Sequence, residues 1–205
     1  MAVVERFIRT VSFAVRLQDD FSRQALLEGR TKVSIRGSNA TAVENPSRYH
    51  VFTDLTGTAF TVRVENPYYF DREVSVSIPA LDPRNPVVAV TMKPKYRYPF
   101  PATGTLIRGV VVGPGGIPVN EAAVNVVGGS ITNQSEQDGR FVLYFGPLTE
   151  DNIAVTGTHR YVKVGASTTL KIRVTHPSYA PKTVTIGTIE EGTTKLLTTP
   201  ITLSP

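Results

Sequence analysis

Chemistry in this chain would have to come from three histidines, His50, His159 and His176, and from a scatter of carboxylates and hydroxyls. The histidines lie far apart, and no HExxH pair or similar metal-ligand spacing joins them. There is no cysteine, which excludes disulfides, thiolate nucleophiles and Cys-based metal sites. No G-x-S-x-G turn presents a serine nucleophile. Asp19 and Asp20 set two carboxylates side by side. A calcium ion wants several such oxygens at once, whereas neighbours on an extended chain point to opposite sides, so a solvated turn is the expectation. An intramolecular isopeptide bond needs a first-strand Lys and a last-strand Asn or Asp. The first strands carry Arg16 and Arg108, and Val87–Met92 and Thr198–Leu203 contain neither Asn nor Asp. The sequence therefore predicts no catalytic residue, no metal and no cofactor.

The elements that would position any site are strands. Of the 205 residues, 27 are Val, 11 Ile and 25 Thr. β-Branched side chains lose rotamer freedom in a helix and fit a pleated sheet. Short alternating runs recur between turn residues: Val11–Leu17, Lys32–Arg36, Tyr49–Asp54, Phe60–Glu65, Glu73–Ile78 and Val87–Met92. That spacing is the mark of a β-sandwich or barrel. An all-β fold of two tandem Greek-key-type sandwiches is the expectation. A length of 205 residues accommodates two domains of about 100 residues each.

The second domain is read as a diverged copy of the first. Thr61–Tyr69, TVRVENPYY, falls on Lys171–Tyr179, KIRVTHPSY, 110 residues later. Val33-Ser34-Ile35 falls on Val124-Asn125-Val126 at a shift of 91, and Arg48–Val51 on Arg140–Leu143 at 92. The jump from 92 to 110 places an insertion in the second copy at 146–169. Between the copies, Pro94, Pro99 and Pro101 disfavour a ladder. The expected division is domain 1 over 1–93, a Pro-rich connector over 94–103 and domain 2 over 104–205.

Residues 105–145 contain a Gly-bearing strand at Ile107–Val112, a turn at Gly113–Gly116, the pair Ala122-Ala123, a strand at Val124–Val127 and the hairpin Asp138-Gly139-Arg140-Phe141. This pattern resembles the carboxypeptidase regulatory-like domain, a transthyretin-like (prealbumin-like) β-sandwich. The resemblance implies a sandwich in which Asp138-Gly139 closes a tight turn and Phe141 is buried. A transthyretin-like hydrolase would end in Tyr-Arg-Gly-Ser, but this chain ends ITLSP. The paired Pro67/Tyr69 and Pro177/Tyr179 are expected to end a strand and lay a ring over the sandwich edge.

Net charge is +5, with the arginines dispersed rather than gathered in a stripe, so nucleic acid is not an expected partner. Lys93, Lys95, Tyr96, Arg97 and Tyr98 interleave base and ring as a strand-tracking surface would, but packing of a connector accounts for the same residues. No apolar run approaches a membrane span. MAVVERFIRT breaks its apolar start at Glu5, Arg6 and Arg9, so synthesis in the cytoplasm without a signal peptide is expected. The remaining class is a structural or adaptor protein with protein partners, as in a virion or phage-tail-like contractile injection particle. A carbohydrate- or cell-surface-binding module is the alternative, weakened by the absence of Trp. Partner contact is expected at His159, Arg160, Tyr161 and Lys163 in the insertion. The insertion is either a protruding hairpin or an added edge strand.

Overall fold

The computed structural model describes residues 9–25 and 28–205. The expectation about a leader rests on Glu5 and Arg6, which lie outside the described residues. Two compact units divide the chain at Lys93/Pro94. Both are all-β, and regular helix is limited to three-residue 3-10 turns among the described residues.

Unit 1 contains β1 (Val11–Asp19), β2 (Lys32–Ile35), β3 (Val43–Glu44), β4 (Tyr49–Thr53), β5 (Ala59–Glu65), β6 (Arg72–Ser77) and β7 (Val87–Met92). One sheet runs β3-β4-β1-β7, with β1 antiparallel to β4 and parallel to β7. The other runs β2-β5-β6. Strand periodicity sends alternate residues inward: Phe13, Val15 and Leu17 from β1, Phe52 from β4, Val62 and Val64 from β5, all buried. The Phe13 ring lies 5.0 Å from Phe52 and 6.0 Å from Phe60. Each fully buried ring contributes about 1.5–3 kcal/mol of transfer free energy.

The same alternation corrects the expectation of a solvated turn at Asp19. Strand β1 continues through Asp19, which follows Phe13, Val15 and Leu17 inward and is only 1% exposed. Its carboxylate accepts the Phe21 N–H at 2.8 Å and the Tyr69 hydroxyl at 3.2 Å. That hydroxyl accepts the Glu28 N–H at 3.2 Å. A buried carboxylate is tolerated because donors meet it.

Unit 2 contains β8 (Thr105–Val112), β9 (Ala123–Val126), β10 (Thr132–Gln134), β11 (Arg140–Phe145), β12 (Ile153–Thr156), β13 (His159–Val162), β14 (Leu170–His176), β15 (Tyr179–Gly187), β16 (Thr194–Leu196) and β17 (Ile201–Thr202). Strand β8 lies between antiparallel β11 and the parallel pair β16 and β17. The second sheet runs β10-β9-β14-β15. Ile107, Val111, Val124, Phe141, Leu143, Ile172 and Val174 fill the space between the sheets.

Ladder registers show one strand plan in both units. Val33 faces Val64 across β2 and β5, and Val124 faces Val174 across β9 and β14. Val62 faces Val74, and Ile172 faces Val184. One expected correspondence slips. His50 and Phe52 point inward on β4, as Phe141 and Leu143 do on β11, so the shift there is 91 rather than 92. A one-residue error exchanges the two faces of a strand.

Residues 94–103 belong to unit 2 and line the outer face of the β8–β11 sheet. The Arg108 guanidinium lies 4.7 Å from the Tyr96 ring centre and 5.6 Å from that of Phe100. Phe100 packs on Tyr144 at 5.7 Å, and Tyr98 is buried. The Asn133 amide donates to Pro94 O and Val142 O, both at 2.9 Å, fastening the segment beside β11. The rings that alternate with basic residues here serve internal packing.

Candidate functional site

The insertion 146–169 folds as a two-stranded antiparallel hairpin of β12 and β13. Gly157 at its tip has φ +62, the left-handed conformation a tight turn demands. Its base is built into the sandwich. Ile153 and Val162 face each other across the ladder and are both buried, with Val162 in the core cluster of unit 2. The outer edge of β13 is covered as well. Val162 N–H donates to Ile189 O at 2.9 Å, Glu191 N–H donates to Arg160 O at 2.8 Å, and Tyr161 bridges to Glu190. The insertion thus has a hairpin's topology, and its second strand is paired to the 189–191 segment.

Alternation along β13 divides the four candidate contact residues between two faces. His159, Tyr161 and Lys163 share one face, with the His159 and Tyr161 rings stacked at 5.9 Å. The His159 Nδ1 lies 2.9 Å from a Glu190 oxygen. Arg160 lies on the other face with Val162. Its Nη2 reaches Glu150 at 2.9 Å and its Nε reaches Glu191 at 2.5 Å. Those carboxylates, Glu150 first, hold the Arg160 guanidinium firmly protonated, its pKa raised above the ordinary value. Arg160 therefore clamps the hairpin to two separate segments. Val155, opposite Arg160 in the ladder, is 61% exposed.

Sequence reading missed the three glutamates because they lie 10 and 31 residues from their partners, and no local pattern links such positions. With them present, the hairpin region carries Glu150, Asp151, Glu190 and Glu191 against Arg160 and Lys163. It is acidic on balance rather than basic.

The motif residues sit at structural points. The Asp138 carboxylate accepts Arg140 N–H at 3.1 Å. Gly139 has φ +75, and a Cβ there would stand 2.4 Å from Val111 O. Phe141 is fully buried across the ladder from Gly109, where a Cβ would meet the ring at 2.8 Å. Pro67 and Pro177 follow the ends of β5 and β14. Tyr69 is fully buried, while the Tyr179 hydroxyl packs on Gly113.

Unit 1 has a cavity of about 190 Å³ lined in part by Leu17, Arg30, Arg48 and His50. Burial lowers the pKa of His50 below its ordinary value, with Glu44 opposing the shift. Arg48 is already paired with Glu44 at 3.1 Å. Among the described residues, no group of three or more His, Asp or Glu side chains is arranged to hold a metal ion, and no helix is long and apolar enough to cross a membrane.

No protein-family model matches the chain, and no curated protein matches it in sequence. Among solved structures it is similar to the Bacillus anthracis TIE protein, at 10% identity and TM-score 0.33, over 95% of this chain and 34% of that one. It is also similar to a streptococcal ancillary pilin, at 14% identity and TM-score 0.26, over 94% of this chain and 62% of that one. The chain spans less than two thirds of the length of either.

Proposed function

We propose that this chain is a non-enzymatic structural or adaptor protein acting through protein–protein contacts, assembled in the cytoplasm into a virion or phage-tail-like contractile injection particle. The observation that supports this reading is the β12–β13 hairpin. Its base is locked by Ile153, Val162 and the Arg160 clamp, while its two faces present Val155 on one side and the His159–Tyr161 stack on the other. A rigid scaffold carrying an aromatic and an aliphatic contact at an extension is how binding loops gain affinity without large ordering cost. The resemblance of residues 105–145 to the carboxypeptidase regulatory-like domain agrees with a scaffold role.

The double variant Val155→Ser/Tyr161→Ala tests it. Surface changes of this kind cost under about 1 kcal/mol, so folding should persist. Capture of the native particle by the immobilised chain should fall at least tenfold. Full capture by a folded variant removes the hairpin from the contact. Removing the whole of β13 is a poor test, because it would empty Val162 from the core.

A further inference from the structure

The outer face of the second sheet differs between the units in what neutralises its cations. In unit 1, Arg63 Nη2 lies 3.0 Å from Glu65 and 3.5 Å from Asp71. Lys32 reaches Glu65 at 3.7 Å, and Arg36 reaches Glu73 at 2.7 Å. These four pairs tie the face together from within.

In unit 2 the arginine is kept and the carboxylates are replaced. The ladder pairs Arg63 with Glu73 in unit 1 and Arg173 with Thr183 in unit 2. By the same 110-residue shift, Glu65 becomes Thr175, Asp71 becomes Pro181 and Thr61 becomes a second cation, Lys171. Both Lys171 and Arg173 are exposed, and neither side chain has an ion pair or hydrogen bond among the described residues. Asn125 lies across the ladder from Arg173, and Thr185 lies across from Lys171. The result is a sheet face with two unneutralised cations among neutral groups that both donate and accept hydrogen bonds.

We infer that this face docks an extended acidic polypeptide segment, whose carboxylates take the places that Glu65, Asp71 and Glu73 fill within unit 1. Lys171 and Arg173 are two residues apart on one strand, so their attachment points are about 6.6 Å apart. An extended segment with an acid at every second residue repeats at the same interval. Arg173 offers a planar fork suited to a bidentate carboxylate contact. This inference is independent of the hairpin and stands if the hairpin makes no contact.

A synthetic heptapeptide of alternating Thr and Glu is titrated into the full chain at low ionic strength and followed by NMR. The expected result is amide shifts centred on Asn125, Arg173 and Thr183, lost when salt is raised. Lys171→Thr/Arg173→Thr should keep the melting temperature and weaken binding at least tenfold. Glu65→Thr/Asp71→Asn/Glu73→Thr frees Arg63 and Arg36 in unit 1 and should create a second, weaker site there. The inference is overturned by absence of binding at millimolar peptide, by equal binding of the Gln analogue, or by a double variant that binds like wild type. Heparin bound at the same residues while the peptide stays silent would assign the face to a sulfated polymer and overturn it equally.

Discussion

Opposite the first strand of each unit, the same position is filled differently. In unit 1 it is His50, buried beside a cavity of about 190 Å³; in unit 2 it is Phe141, packed on Gly109 with no exposed surface. The turn leading into it also differs. Arg48 N–H donates to Asn45 O and Gly139 N–H donates to Glu136 O, so both turns close alike. Yet Arg48 holds φ +64 where unit 2 has Gly139 at φ +75. The sheet faces diverge in the opposite sense: unit 1 neutralises its cations internally and unit 2 leaves two of them open. Unit 2 thus combines the fully packed Phe141 position with the two surfaces proposed to meet a partner, the hairpin and the cationic face. A scaffold that must present contacts benefits from a core that does not yield.

The largest effect that sharpens this comparison is Phe141→Ala, which should cost unit 2 on the order of 3–5 kcal/mol in urea unfolding followed by its own NMR signals. His50→Ala should cost unit 1 clearly less, since its position already borders a cavity. Equal losses would erase the packing difference. Gly139→Ala comes next, at about 2–3 kcal/mol, because the new Cβ meets the backbone oxygen of Val111 in a strained conformation. The reciprocal change, Arg48→Gly, should stabilise unit 1 by about 0.5–1 kcal/mol, since it relieves a left-handed non-glycine residue. Its exposed pair with Glu44 contributes little. A destabilised Arg48→Gly protein would mean that the two turns are not equivalent.

The smallest effect is one of pH. Burial keeps the folded-state pKa of His50 below the ordinary 6.5, against the opposing charge of Glu44. The unfolded chain therefore takes up the proton at higher pH than the folded one. The contribution of His50 to stability is complete above about pH 6.5 and declines as pH falls through the window beneath it. Arg30 and Arg48, which line the same cavity, add repulsion once the ring is charged. Unfolding at about pH 7.5 and about pH 5.5 should show this loss in unit 1, and His50→Phe should flatten it. An unchanged slope in His50→Phe would assign the dependence to other groups.

Most strands were legible because side-chain alternation is a local signal. Val87–Met92 is a strand over the whole expected range, and β1 runs two residues past the expected Leu17. The duplication was legible from TVRVENPYY and KIRVTHPSY for the same reason. Strands β3 and β10 were not, being two and three residues long and joined to different sheets in the two units. The slip at His50 arose because Arg48-Tyr49 and Arg140-Phe141 align by residue type while the turns align by conformation. At the candidate site, the aromatic and basic residues of 159–163 stood out, but their glutamate partners did not. Those contacts cross 10 to 31 residues and depend on where the 189–191 segment docks.

Amide hydrogen exchange, compared between the free chain and the chain inside the proposed particle, tests most directly whether unit 2 carries the contacts. The account predicts added protection at the β12–β13 hairpin and along β14 and β15, with the β5–β6 face of unit 1 unchanged. Added protection confined to unit 1, or none anywhere in a chain that purifies alone, would contradict it.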